Sequence, residues 1–253
     1  MKKLRIILVL MALTVMSGAS AASLGNETLQ YKILYKWGLV HKTAARATLK
    51  LTHSGANYNA RLYAKTEPWA DRVYHLRDTL KSTIVASTFR PTRYDKIAHE
   101  DGKFSHDIVQ FSYAGNSVTG KCTRVRQKNP TEKRTTSNAL LTSQGRTFDM
   151  LSVFYYLRTL DFASLKKNHV ETMTIFSGKK KETLKVTYQG VTDVQVGKQK
   201  QKAYLITFTF TSNGKKSSDP IKAWLSADAS HIPLRVEGAL KIGKVIVELT
   251  GKN

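Results

Sequence analysis

The stretch that decides the fold class is residues 203–212, AYLITFTFTS. Its larger apolar side chains alternate with threonine along most of its length, at Tyr204, Ile206, Phe208 and Phe210. A period of two is typical of a β-strand that buries one face against a core and leaves the other face in water. The stretch therefore predicts a half-buried antiparallel strand.

The same alternation recurs along the chain. It is seen at Tyr31, Ile33, Tyr35 and Trp37, at Tyr58, Ala60, Leu62 and Ala64, and at Val245, Val247 and Leu249. Turn-forming Gly, Asn and Asp residues separate the runs, and roughly a dozen strands follow at the spacing of hairpins. The sequence predicts a mainly β fold with a single large curved antiparallel sheet or half-open barrel.

One segment breaks this period. Residues 149–162, DMLSVFYYLRTLDF, place apolar side chains at helical spacing, with Asp149 positioned to cap the first turn. A helix that is apolar over more than half its circumference must be buried. We therefore expect one central buried helix against the concave face of the sheet, and a shorter helical turn after Pro68.

The N-terminus has the pattern of a secretory signal peptide. A charged start with Lys2, Lys3 and Arg5 precedes an apolar run that is too short to span a bilayer, and small residues follow. We predict a signal peptide over residues 1–21, cleaved near Ala21, and a single β-rich exported domain over residues 22–253. The alternative is an anchor that stays attached. The predicted location is the periplasm.

Charge is the clearest chemical signal. Lys and Arg total 41 against 18 Asp and Glu, a formal charge of +23. Lysines cluster in predicted turns, and we expect Lys179, Lys180 and Lys181 to bind anions such as lipid headgroups or an anionic membrane surface. Nucleic acid would suit the charge, but export argues against it as a partner. The alternative is that these lysines serve only solubility.

The sequence contains no motif for a nucleophile elbow, a phosphate loop or a paired metal site. His99 and His106 flank a turn and could meet across it, but a solvated hairpin explains them better. We therefore expect no catalytic residues, no metal and no cofactor. The single cysteine, Cys122, excludes an intrachain disulfide.

Aromatic residues are the second signal for a ligand. If the helix lies in a curved sheet, six rings converge and could line a cavity for an acyl chain or a sugar. These candidate ligand-binding residues are Tyr31, Tyr35, Trp37, Tyr155, Tyr156 and Trp224. The alternative is a helix that fills its own groove.

Four motifs together resemble a bacterial exported family, domain of unknown function 3108. They are Tyr31-x-Ile33-x-Tyr35-x-Trp37-Gly38, Arg90-Pro91-x-x-Tyr94, Asp149-x-Leu151-Ser152-x-x-Tyr155-Tyr156-Leu157-Arg158, and Trp224-Leu225-Ser226-x-Asp228 with Pro233-Leu234-Arg235-Val236-Glu237. The resemblance implies an exported, mainly antiparallel β protein similar in outline to half-barrels that carry lipoproteins or lipids. It implies no established activity.

The function expected from the sequence is non-enzymatic binding of an apolar or amphiphilic envelope ligand, a lipid or a glycolipid. Two alternatives belong to other classes. One is a hydrolase acting on envelope glycan or lipid, which convergent acids in a cleft would favour. The other is a structural module of an envelope assembly, which a flat apolar patch would favour.

Overall fold

The computed structural model describes residues 24–212, 214–216, 219–240 and 242–253. The predicted signal peptide and its cleavage site lie outside these residues. The described chain is built almost entirely from β-strands, as the period of two predicts.

Sixteen strands and two short helices are formed by the described residues. The first strands are β1 (Glu27–Trp37), β2 (Val40–Ser54), β3 (Asn57–Thr66), β4 (Leu76–Val85), β5 (Pro91–Glu100), β6 (Lys103–Ala114), β7 (Ser117–Gln127) and β8 (Thr135–Gln144). The remaining strands are β9 (Thr147–Phe148), β10 (Val170–Phe176), β11 (Lys181–Val196), β12 (Gln199–Ser212), β13 (Lys215–Lys216), β14 (Ile221–Ser226), β15 (Pro233–Ala239) and β16 (Lys244–Lys252). The helices are α1 (Pro68–Asp71) and α2 (Ser152–Leu157).

All the strands belong to one sheet in the order β8-β7-β6-β5-β4-β3-β2-β1-β16-β15-β14-β12-β11-β10-β9, with β13 beside β12. Neighbours are antiparallel except β9 and β10, which are parallel. The first and last strands of the chain, β1 and β16, pair with each other, so the sheet extends from this central pair in both directions. The result is a large, nearly closed, barrel-like sheet.

Side chains hold the two ends of the sheet together along a seam. The ring of Phe176 on β10 stacks on Phe111 of β6 with ring centroids 5.6 Å apart. It also lies over Gly120 of β7, where a Cβ atom would be 2.5 Å from the ring. Across the same seam, Lys181 Nζ donates to the backbone oxygen of Thr142 on β8 at 3.0 Å.

The barrel interior is an apolar core that reaches from strand to strand. Ile206, Phe208 and Phe210 of β12 are buried in it, as the alternation along residues 203–212 predicts. Equivalent alternating positions on β1 to β4 add Leu29, Tyr31, Ile33, Leu49, Leu51, Tyr58, Leu62, Leu80 and Ile84. The core is therefore made by one face of the long strands, to which β8 adds only the partly buried Ala139 and Leu141.

The predicted helix is buried but much shorter than expected. Only residues Ser152–Leu157 are helical, so the prediction of a helix over residues 149–162 was wrong in extent. Asp149 Oδ1 does accept hydrogen bonds from the backbone N–H groups of Leu151 and Ser152, at 2.7 and 2.9 Å. The helix ends at Arg158, whose N–H bonds to the Tyr155 oxygen in a tightened last turn.

Arg158 anchors the end of the helix. Its guanidinium is buried, binds both carboxylate oxygens of Glu27 on β1, and donates from Nε to the Ser230 oxygen at 3.0 Å. The imidazole of His231 bonds to the Arg158 oxygen at 2.8 Å. These contacts tie the end of the helix to two distant parts of the chain, and the apolar side chains that follow are buried by an irregular segment.

Candidate functional site

A basic groove lies on the outer face of the sheet across β2 to β6. Its volume is about 620 Å³, within the range of roughly 300 to 1,000 Å³ that is usual for ligand sites. The groove is lined by Lys50, Thr52, Asn59, Ala60, Arg61, Lys81, Ser82, Thr83, Arg93, Asp95, Ile97 and His106. Most of these are outward-facing residues that alternate with the buried core residues of the same strands.

Three cations form a row across this groove. Lys50 on β2 pairs with Arg61 on β3, and Arg61 pairs with Lys81 on β4. Side chains directly opposite each other in antiparallel strands have Cβ atoms about 4.5–5.5 Å apart, and like charges there are destabilising. All three side chains are exposed, and in the described part of the chain none forms an ion pair. We call Lys50, Arg61 and Lys81 the cation row.

The carboxylate nearest to the cation row is already engaged. Asp95 pairs with Lys81 in register, but its Oδ2 accepts from Arg93 Nε at 2.7 Å and its Oδ1 contacts His106 Nε2 at 2.8 Å. Burial opposes ionisation, yet the hydrogen bonds from Arg93 and His106 hold the pKa of Asp95 below its ordinary value. Asp95 therefore stays charged and compensates Arg93 rather than the row.

The groove has the charge and the polar groups that suit an anion. Three uncompensated positive charges create a local field that attracts phosphate or carboxylate groups. Thr52, Asn59 and Thr83 stand in the next cross-strand row and bring hydroxyl and amide groups to the same surface. Guanidinium and ammonium groups with hydroxyl donors are the usual partners of phosphate oxygens.

The predicted aromatic residues do not share one cavity. Tyr155 is fully buried in the core, and Tyr31 is buried with its hydroxyl donating to the Pro233 oxygen at 3.1 Å. Tyr156 is half-buried and stacks on Phe148 with ring centroids 4.7 Å apart. Ligand binding by these tyrosines stays a prediction.

The other rings lie elsewhere. Trp37 is 57% exposed because it stands at the last position of β1, beyond the core. Trp224 lies on the outer face of β14, where it packs on a small second cluster with Val194 and Leu234. Tyr35 is half-buried and donates to the Ile242 oxygen at 3.2 Å. The expectation that Trp37, Tyr155 and Trp224 wall one cavity was therefore wrong.

The predicted anion site at Lys179, Lys180 and Lys181 lies in and next to the turn between β10 and β11. Lys179 Nζ donates to Ser137 Oγ at 3.1 Å, and Lys181 bonds to the edge of β8 as described above. Lys180 is exposed. Two of the three lysines thus help to hold the seam, and anion binding by them stays a prediction.

The remaining candidate groups have structural surroundings. His99 packs on Phe104 with ring centroids 5.0 Å apart, while His106 belongs to the basic groove. Burial raises the pKa of the Cys122 thiol to about 11. Among residues 24–212, 214–216, 219–240 and 242–253, no group of three or more His, Cys, Asp or Glu side chains is placed to hold a metal ion. No helix in the same ranges is both long and apolar enough to cross a membrane.

Fold and groove together define the class: a barrel-like, mainly antiparallel β protein with a basic groove on its outer face. The chain belongs to the family described as protein of unknown function DUF3108, whose model matches residues 30–250. The family resemblance of the sequence motifs is thereby confirmed. No curated protein is similar enough in sequence to match the chain.

A solved structure shares this architecture. A β-barrel-like protein of the DUF1849 family from Brucella abortus aligns with a TM-score of 0.62 at 13% identity, covering 92% of this chain and 99% of that chain. This similarity shows the fold alone.

Two further structures align less well. A candidate lipoprotein from Parabacteroides distasonis has a TM-score of 0.33 at 8% identity, with 91% of this chain and 96% of that chain covered. A candidate exported protein with a YmcC-like fold from Bacteroides fragilis has a TM-score of 0.34 at 7% identity, with 91% and 97% covered. Similarity at that level carries no argument about this chain.

Proposed function

We propose that the protein is an exported, non-enzymatic envelope protein that binds the anionic group of an amphiphilic envelope ligand, a lipid or a glycolipid, in the basic groove. The observation that carries the proposal is the cation row, Lys50, Arg61 and Lys81, which stands across three strands and in which no member forms an ion pair in the described part of the chain. The pattern of residues 1–21 supports export to the compartment where such ligands occur.

The cation row has a stability cost that a ligand would remove. Like charges directly opposite each other in a sheet are destabilising. The acid next in register, Asp95, is opposite Lys81 but is engaged by Arg93 and His106, and no acid separates the three cations from one another. Elsewhere the sheet places an acid between two cations. On β1, β15 and β16, for example, Glu248 lies between Lys32 and Arg235 and contacts both. An arrangement that keeps cations together indicates an anion that is supplied from outside.

The experiment compares a groove variant with a control of equal charge. The groove variant is Lys50→Gln/Arg61→Gln/Lys81→Gln. The control is Lys166→Gln/Lys167→Gln/Lys185→Gln, which removes three exposed cations away from the groove. The probe is soluble dihexanoylphosphatidylglycerol, with dihexanoylphosphatidylcholine as the zwitterionic comparison, and the readout is isothermal titration calorimetry.

We expect saturable binding of the anionic lipid by the wild type. The groove variant should bind at least about tenfold more weakly and with a smaller salt dependence, because each lost cation near an anionic group removes about 1 kcal/mol. The control should bind as the wild type does. Unfolding in urea should show the groove variant to be as stable as the wild type or more so, since repulsion in the row is relieved.

Two results would overturn the proposal. One is an equal loss of binding in the groove variant and the control, which would mean that only net charge attracts the lipid. The other is the absence of saturable binding by the wild type at low salt.

A further inference from the structure

One end of the barrel carries most of the exposed apolar side chains. The strand registers place the turn at residues 38–39, the segment 67–75 and the turn at residues 240–243 at this end. The turn between β5 and β6 and the turn at residues 177–180 lie at the same end. We call it the tip end.

Four large apolar side chains project into solvent at the tip end. The exposed fractions are 57% for Trp37, 104% for Leu39, 81% for Val73 and 54% for Ile242. The other large apolar residues that are exposed in the described ranges, Leu140, Val170 and Val191, are scattered on other strands. Single exposed apolar residues are normal, but several at adjacent hairpin tips form an interaction surface.

Two of the hairpin tips are in direct contact. Tyr35 Oη donates to the backbone oxygen of Ile242 at 3.2 Å. Gly243 packs so closely on the neighbouring tip that a Cβ atom would lie 3.0 Å from the Cβ of Trp37. Its φ of +78° is one that glycine adopts without strain. Trp37, Leu39 and Ile242 are therefore presented side by side on a supported platform.

The segment 67–75 is anchored next to this platform. Trp69 Nε1 donates to the Thr43 oxygen at 2.7 Å, and Lys42 Nζ lies 4.7 Å from the centre of the Trp69 ring. Val73 follows α1 on the same segment and is exposed. The segment that carries Val73, the fourth exposed apolar side chain, is thus anchored to the start of β2.

Cations surround these apolar groups. Lys36, Lys42 and Arg72 are exposed near the tips. The carboxylates of the nearest connections are already bound, since Glu67 pairs with Arg46 and Asp71 with Arg77.

Lys244 also stands at the tip end and pairs with Glu237 at 2.9 Å. Further along the same end, Lys103, Lys179 and Lys180 extend the positive surface, while Glu100 accepts from Tyr74 Oη and Asp101 accepts from the His75 N–H at 2.8 Å. The tip end therefore combines projecting apolar side chains with excess positive charge.

We propose that the tip end docks on an anionic phospholipid surface, with Trp37, Leu39 and Ile242 inserted among the lipid headgroups and the lysines bound to phosphates. Tryptophan is favoured at the boundary between headgroups and acyl chains, and its neighbours are aliphatic. Insertion of apolar groups and attraction of basic groups to anionic lipid add together in such binding. Projecting hairpin tips suit a deformable bilayer better than the flat surface of a protein partner.

The experiment measures binding to vesicles by flotation. Vesicles of phosphatidylcholine mixed with phosphatidylglycerol are compared with vesicles of phosphatidylcholine alone. The tip variant is Trp37→Ser/Leu39→Ser/Ile242→Ser. The matched control is Leu140→Ser/Val170→Ser/Val191→Ser, which removes exposed apolar groups elsewhere. Near-ultraviolet circular dichroism checks that both variants keep the fold.

We expect the wild type to float with the anionic vesicles and not with phosphatidylcholine alone. The tip variant should bind at least about tenfold more weakly, because burial of each such side chain is worth more than that factor. The control variant should bind as the wild type does. In a Trp69→Phe/Trp224→Phe background, brominated phosphatidylcholine in the anionic vesicles should quench the emission of Trp37.

This inference is independent of the basic groove, and the two can be separated. The groove variant should still float with anionic vesicles if the tip end carries the binding. Equal vesicle binding by wild type and tip variant, or an equal loss in the matched control, would overturn the inference. So would capture of the Trp69→Phe/Trp224→Phe protein by vesicles with Trp37 unquenched, since the surface in contact would then be another one.

Discussion

Replacing Arg158 with methionine should cost the fold about 3–5 kcal/mol, which is the usual consequence of leaving a buried charge without its partner. Only 2% of the Arg158 side chain is exposed, and 9% of Glu27. Methionine keeps most of the side-chain volume and its contacts with the neighbouring rings, so the loss reports on charge and hydrogen bonding. Folded domains are typically stable by about 5–15 kcal/mol, so the variant would lose a large share of its stability.

The stability lost in Arg158→Met has three contributions. The carboxylate of Glu27 loses both guanidinium contacts and stays buried. The backbone oxygen of Ser230 loses the bond from Arg158 Nε, a loss of about 1 kcal/mol. The methionine side chain restores some apolar contact with Phe154 and Tyr155, over which the guanidinium now lies. The first part is the largest, so removing Glu27 as well should recover much of the loss.

A double-mutant cycle measured by urea unfolding at neutral pH tests this reasoning. The set is Arg158→Met, Glu27→Met and the double variant, and the coupling energy should reach about 2 kcal/mol or more. The exposed pair of Lys200 and Asp193, with side chains 68% and 37% exposed, provides the control cycle and should couple by less than about 1 kcal/mol. Additive losses at Arg158 and Glu27, or a loss below about 1 kcal/mol in Arg158→Met, would refute the argument.

Three further outcomes can be measured by the same method. Leu157→Ala should cost about 2–5 kcal/mol because the side chain is fully buried, and a loss under about 1 kcal/mol would mean that the helix is peripheral. Burial raises the pKa of Asp149 to about 6, above its unfolded value, so the folded state binds the extra proton and stability falls as pH rises from about 4 to 6. The stability of Asp149→Asn relative to the wild type should therefore increase by about 2–3 kcal/mol between pH 4 and 7.5, and parallel pH curves would contradict this. Gly120→Ala should cost about 1–3 kcal/mol by its clash with Phe176, whereas Gly25→Ala, with open space around it, should be nearly neutral; equal stabilities would show that the seam adapts freely.

The fold class could be predicted from the sequence because alternation is a local property. Each run of period two, such as residues 203–212, decides the burial of its own strand without knowledge of its neighbours. The helix was predicted too long because its apolar residues are buried on all sides whether or not the backbone is helical. The helix ends where Arg158 contacts Glu27, and a contact between residues so far apart leaves no local signal in the sequence.

The basic groove could be predicted only in part. The tight turn at Gly55 and Ala56 pairs Ser54 with Asn57, and this register places Lys50 opposite Arg61. The pairing of Lys50 with Arg61 could therefore be predicted from the sequence. Lys81 joins the row through the longer connection between β3 and β4, whose geometry no short motif determines.

The misplacement of Trp224 has a different cause. Ala223 and Leu225, its neighbours on β14, are buried in the core, so Trp224 must face outward by the same rule of alternation. The position of Trp224 on its strand, and not its aromatic type, determines which face of the sheet it occupies.

The seam has a consequence for behaviour at high concentration. Because the sheet is a strip whose ends meet through side chains, β8 keeps one edge of its backbone outside the hydrogen-bonded ladder. Its ten residues, TTSNALLTSQ, include no charged residue and no proline, which are the usual barriers to pairing with a strand of another molecule. The ammonium groups of Lys179 and Lys181 are bonded to Ser137 and Thr142 and place two positive charges against that edge. We therefore expect loss of these two lysines to open the edge of β8 to pairing with a strand of another molecule.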